Sequence, residues 1–241
     1  MAPSAVKQGP CAVTHPYNEP PLNPLPPVVI ALFLVIVGIE LVFTLGARGI
    51  VGGPGAVGWR IGFMERFAFS SEIFAWMRET GRWSFEHVLR MFSYPFVHAS
   101  FTHALFAGIM LLALGKMVGE AMGSLAVVAI FFVSAAGGAL VYAVATGNAT
   151  PLIGAFPAIY GLIGGFTYML WLRLGQMGEK QVRAFTLIGF LLFIQLIFGL
   201  LFGSNAEWVA DLSGFAIGFA LSIILVPGGW AKLLDRLRQR D

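Results

Sequence analysis

Apolar residues fall into six long runs separated by short polar or glycine-rich breaks. The first runs from Val28 to about Leu45 and contains one charge, Glu40. The others cover roughly 96–116, 123–145, 153–173, 184–203 and 208–226. Each is close to the ~20 residues that an α-helix needs to cross ~30 Å of hydrocarbon. The pattern predicts an all-α polytopic membrane protein with a six-transmembrane-helix bundle. Six spans place both chain ends on one side.

Between the first two runs the pattern changes. Residues 46–58 are glycine-rich and read as loop. Residues 60–94 mix charges with aromatics, among them Arg60, Glu65, Arg66, Trp76, Arg78, Trp83 and Arg90. This stretch is too polar to span a bilayer. It predicts a long interfacial first loop of short helices, with Trp and Phe at headgroup depth. Residues 1–27 are proline-rich without helical periodicity and read as a flexible tail. Residues 227–241 carry Lys232, Arg236, Arg238 and Arg240 and read as a basic tail on the membrane surface. The membrane domain is therefore 28–226.

Composition removes most alternatives. The chain of 241 residues is 58% hydrophobic and 11% charged, with mean hydropathy +0.82. Too few polar residues remain to cover a soluble surface, which excludes a soluble enzyme, a disordered chain and a coiled coil. Net charge is +3, but the cations are scattered over loops and tail, so nucleic acid is not an expected partner. Lys7, Lys116, Arg173, Lys180, Arg183 and the tail cations lie on one side of the predicted topology. The short loops 146–152 and 204–207 on the other side carry none. That asymmetry places both termini in the cytoplasm, and a bacterial-type cytoplasmic (inner) membrane is the expected location. Cys11 is the single cysteine, which excludes an intrachain disulfide and a cysteine-rich metal site. The N-terminus lacks the basic region of a secretory signal, so the first run is expected to stay in the mature protein.

Small residues mark close helix approach. Gly154, Ala158, Gly161, Gly164 and Gly165 line the fourth run, and Ala210, Gly214 and Gly218 repeat every four residues on the sixth. Direct contact of these two spans is expected. Ala135 to Gly138 predict tight packing of the third.

Ionisable groups at membrane depth are costly and turn inward. Here they are Glu40, His98, His103 and Asp211. His98 and His103 lie five apart, about 140° around a helix, so they do not share a face as metal ligands at i, i+4 would. No metal and no cofactor is expected. His98 is expected to tie down the preceding loop and His103 to point inward. Asp211 needs a partner, for which His103 is the candidate, or else it caps the start of the sixth helix. Glu40 is expected to bond Ser, Thr or loop groups near the outer boundary, with a proton path as the other reading.

Three stretches resemble the rhomboid intramembrane serine proteases: LRMFSYPFVHASFTHALFAG (89–108), GAFPAIYGLIGGF (154–166) and ADLSGFAIGFALS (210–222). They are similar to that family's loop Trp-Arg element with its H-x4-H-x3-N helix, its G-x-S-G segment and its A-H-x-x-G-x-x-x-G helix. The resemblance implies a rhomboid-like bundle. It also implies which positions carry chemistry: a Ser nucleophile on span four, a His base on span six, and an Asn and a His on span two at the oxyanion. In this chain the nucleophile position holds Phe156, the base position Asp211 and the Asn position Ala107. Pro157 replaces a glycine and has no N–H to donate. His98, His103, Arg90, Tyr160, Gly154, Gly214 and Gly218 stand where the pattern expects them.

Phe has no oxygen or sulfur with which to form an acyl intermediate. Losing nucleophile, base and oxyanion donor together leaves no acyl transfer. The expectation is a pseudoprotease that binds or escorts other membrane proteins, with membrane lipids and transmembrane proteins as partners and oligomeric state open. One alternative is an active endopeptidase built on unorthodox residues such as Ser100 or Ser213. A second is a proton or ion transporter using Glu40, His103 and Asp211.

Overall fold

A computed structural model describes residues 24–147, 150–202 and 206–228. Most of the proline-rich N-terminal segment, including Lys7 and Cys11, lies outside the described residues. So do the basic end beyond 228 and parts of the loops 146–152 and 204–207.

The described chain is almost wholly helical. Helix α1 (Pro27–Ala47) is followed by three short helices, α2 (Trp59–Phe67), α3 (Ser71–Thr80) and α4 (Phe85–Ser93). Then come α5 (Phe101–Met122), α6 (Ser124–Thr146), α7 (Phe156–Gln176), α8 (Thr186–Phe202) and α9 (Glu207–Leu225). The short helices lie where the mixed charge and aromatic pattern predicted them.

Five segments are long and apolar enough to cross a membrane: Pro27–Ala47, Phe101–Met122, Ser124–Thr146, Gln181–Leu201 and Glu207–Leu225. Helix α7, expected as a span on equal terms, has the length but less apolarity. The reason is its position. Pro157 to Gly165 are all buried, so this helix is enclosed by protein and needs no continuous lipid-facing coat. The second span also differs from the expected 96–116. It starts at Phe101, because Ser100 is an N-cap whose hydroxyl accepts from the His103 N–H at 3.2 Å. Residues 97–100 before it are not helical.

Helix α1 starts with Pro27 at its first turn, where the missing N–H costs nothing. Its buried residues Val29, Leu32, Ile36, Glu40 and Phe43 follow the helical period. They pack on α5, where glycine makes room. A Cβ on Gly108 would stand 2.9 Å from the Phe33 ring, and one on Gly115 would stand 2.9 Å from the Val29 methyls.

The centre of the bundle is α6, α7 and α9. Gly161 and Gly164 of α7 face Gly218 and the Phe215–Phe219 backbone of α9, and Gly214 faces the Pro157 carbonyl. Gly138 of α6 lies against the Ala210 carbonyl, which a Cβ there would approach to 2.8 Å. The expected contact of the fourth and sixth apolar runs is therefore present. The tight packing expected of the third is present as well.

Two links fix the first loop to this centre. Phe69 and Leu152 form an isolated antiparallel bridge with N–O distances of 3.1 and 2.8 Å. The buried Tyr94 hydroxyl donates to the Ala135 carbonyl at 2.8 Å, and its own carbonyl accepts from Gly154 N–H at 3.1 Å. These bonds set the segment that leads into α7.

Candidate functional site

Phe156 opens α7, with Pro157 behind it in the first turn. The Phe156 ring lies on the His103 imidazole, nearly parallel, with interplanar angle 12° and centroids 5.2 Å apart. His98 also meets the His103 ring, edge-on at 5.0 Å. The two histidines thus meet, contrary to the expectation that they face apart. A helical angle does not apply to them, because His98 precedes the helix and only His103 is on it.

Gly154 completes the wall. Its φ of +91° is a conformation that side-chain-bearing residues rarely adopt, and a Cβ there would stand 2.7 Å from the His103 ring. Only glycine suits both the turn and the close approach. Ala107 is fully buried one turn beyond His103 on α5. Tyr160 is buried one turn beyond Phe156 on α7.

His98 is 2% exposed and anchors the loop as expected, in part through its main chain. Its carbonyl accepts from Arg60 Nη1 at 2.8 Å. The same guanidinium grips Glu40 with both arms, Nη1 to Oε2 at 2.9 Å and Nη2 to Oε1 at 2.5 Å. Thr44 donates to Glu40 as well, at 3.1 Å. The expectation that Glu40 bonds threonine and loop groups holds. Arg60 was the unforeseen partner.

Burial, then the neighbouring His103 ring and the Arg60 charge, push the His98 imidazole down from its ordinary 6.5 to about 3, against the hydrogen bond to the Phe96 backbone. Folded His98 therefore stays neutral where the unfolded chain takes up a proton. Its contribution to stability is complete above pH 6.5. It is lost as pH falls from 6.5 toward 3, at up to about 1.4 kcal/mol per pH unit. Thermal midpoints measured across pH 4 to 8 should fall with acid more steeply in the wild type than in His98→Gln. Equal slopes would contradict this assignment.

Asp211 is buried in the second turn of α9, at 6% exposure. It does not cap the helix; the N-cap is Ala206, with no side-chain bond. Its hydrogen-bond partner is not His103 but Gln195 of α8, whose Nε2 donates to Oδ2 at 2.8 Å. Sequence reasoning missed Gln195, although a lone amide in an otherwise apolar run is itself a signal that a partner lies across the interface.

The two serines named as alternative nucleophiles sit in different bonds. Ser213 donates to the Val209 carbonyl of its own helix at 2.6 Å, and Ser100 caps α5. Arg90 lies in the first loop, its Nη1 3.5 Å from the Ala68 carbonyl. His98, His103, Gly154 and Phe156 thus form one cluster, Gly214 and Gly218 serve helix contact, and Arg90 supports the loop.

The rhomboid domain pattern matches residues 86–228, more than half of the chain. The chain belongs to the rhomboid family. A search of curated proteins finds no match. With several long apolar helices and a rhomboid domain, it is an integral multi-pass membrane protein. The matched region begins in α4 and ends just after α9, so it contains the whole cluster. In this rhomboid-family protein the histidine on α5 is stacked with an aromatic ring, and the acid on α9 is held by an amide.

Proposed function

We propose that this rhomboid-family protein does not hydrolyse peptide bonds and instead binds or escorts other transmembrane proteins, with both termini in the cytoplasm. The observation that carries the reading is the Phe156 ring stacked on His103. Phe156 stands at the position that the family resemblance assigns to the nucleophile, and a hydrocarbon ring cannot attack a carbonyl. The Ser213 hydroxyl, donated to the Val209 carbonyl of its own helix, supports the same reading. So does the Gln195 bond to Asp211, which ties up the carboxylate at the position of the base.

Purified full-length protein in nanodiscs, incubated with a model transmembrane substrate and a serine-reactive fluorophosphonate, tests it. Neither cleavage nor labelling is expected. Phe156→Ser is expected to stay inactive, because Asp211, Ala107 and Pro157 remain, and to cost about 2 kcal/mol of stability through the cavity and the lost stacking. Cleavage that disappears in Ser100→Ala or Ser213→Ala would overturn the proposal, as would activity in Phe156→Ser alone. Crosslinking in native membranes should then recover transmembrane proteins that remain uncut.

A further inference from the structure

An apolar groove of about 900 Å³ runs between α1 and the segment from Gly55 to the end of α2. Gly38, Gly55, Gly58 and Gly62 line it, and a Cβ placed on any of them meets nothing within 4 Å. Phe43 and Phe63, edge to face at 5.2 Å, and Trp59 also line it. The size falls within the roughly 300–1,000 Å³ of small-molecule sites, which are also mostly apolar with a few placed polar groups.

Arg66 is the single ionisable residue lining this groove. Its guanidinium lies 5.6 Å from the Phe67 ring centroid and is exposed. Among the described residues it has no ion-pair partner, whereas Arg60, one helical face away, is neutralised by Glu40. Its chain neighbour Glu65 does not line the groove. The groove is open along α1, a membrane span whose adjacent Leu41 and Val42 are exposed. A bilayer component has access from that side, next to an uncompensated cation.

We propose that this groove binds a glycerophospholipid with a net negative headgroup, one acyl chain lying along the glycines and the phosphate on Arg66. A guanidinium matches phosphate oxygens in pairs and keeps its charge at any relevant pH. A zwitterionic headgroup brings its own ammonium and gains less from Arg66. The glycines serve the chain, since any side chain on them would take up the space.

Native mass spectrometry of the full-length protein in non-ionic detergent tests the site. Phosphatidylglycerol and phosphatidylcholine with identical acyl chains are titrated separately. One phosphatidylglycerol is expected to be retained about tenfold more tightly than phosphatidylcholine. Arg66→Gln should remove that preference. Gly62→Leu fills the groove while raising helix propensity, so the fold is kept; it should abolish retention of both lipids with the thermal midpoint unchanged or raised. Equal retention of the two lipids by the wild type would overturn the proposal. So would a preference that survives Arg66→Gln, or a protein dimer lost in Gly62→Leu, which would make a second copy the occupant.

Discussion

Gly218→Val is expected to leave little folded protein. A Cβ on Gly218 would fall inside the van der Waals envelope of the Gly161 backbone, and Gly161 is itself backed by the Ser134 side chain of α6. Backbone cannot turn aside as a flexible side chain does. Helices α7 and α9 would have to separate along their length, breaking the approaches of Gly164 to the Phe215–Phe219 backbone and of Gly214 to Pro157. Overpacking of side chains typically costs 1–3 kcal/mol; here the obstacle is main chain on both sides, and a loss of more than about 3 kcal/mol is expected. Ala216→Val, on the exposed face of the same helix, is the control and should stay within about 0.5 kcal/mol. Thermal unfolding in detergent reads both variants. A Gly218→Val midpoint equal to the wild type would show that α7 and α9 are not in direct backbone contact.

Arg60→Ala carries the second largest expected effect. Glu40 is 4% exposed and faces the bundle from α1, with Arg60 bonded to both of its oxygens. Removing one partner of a buried ion pair leaves an uncompensated charge, at about 3–5 kcal/mol. Arg60 also holds the His98 carbonyl, so the loop entering α5 should loosen at the same time. Adding Glu40→Gln to Arg60→Ala removes the stranded charge and should restore much of the loss. A double-mutant cycle on thermal midpoints measures the coupling. If Glu40→Gln makes Arg60→Ala no better, the charge is not what the pair protects.

Much of the bundle was legible because membrane burial is written locally. Hydrocarbon demands long apolar runs, and these marked α1, α5, α6, α7, α8 and α9. The small residues Ala210, Gly214 and Gly218 at i, i+4 spacing announced a close helix contact, because small side chains let two backbones approach. Helix α7 was marked like the others but is less apolar than a membrane span requires. Its low apolarity reflects enclosure by other helices, which depends on where its neighbours lie and not on its own residues. The start of α5 was misplaced for a related reason. Val97 and His98 continue the apolar run, but the Ser100 cap and the Arg60 bond to the His98 carbonyl hold them outside the helix.

The candidate site divides in the same way. That an aromatic ring stands at position 156 and a carboxylate at 211 is a matter of residue identity. Which groups they meet depends on contacts distant in sequence. His98 touches His103 because one of them lies off the helix, and Asp211 meets Gln195 because α8 passes beside α9. Hydrophobic length and small-residue spacing are properties of a segment, so the chain alone determined the membrane class and the glycine-lined helix contact. Pairing of buried polar groups is a property of neighbours, so only the tertiary structure decided that Arg60 answers Glu40, that Gln195 answers Asp211, and that Phe156 covers His103.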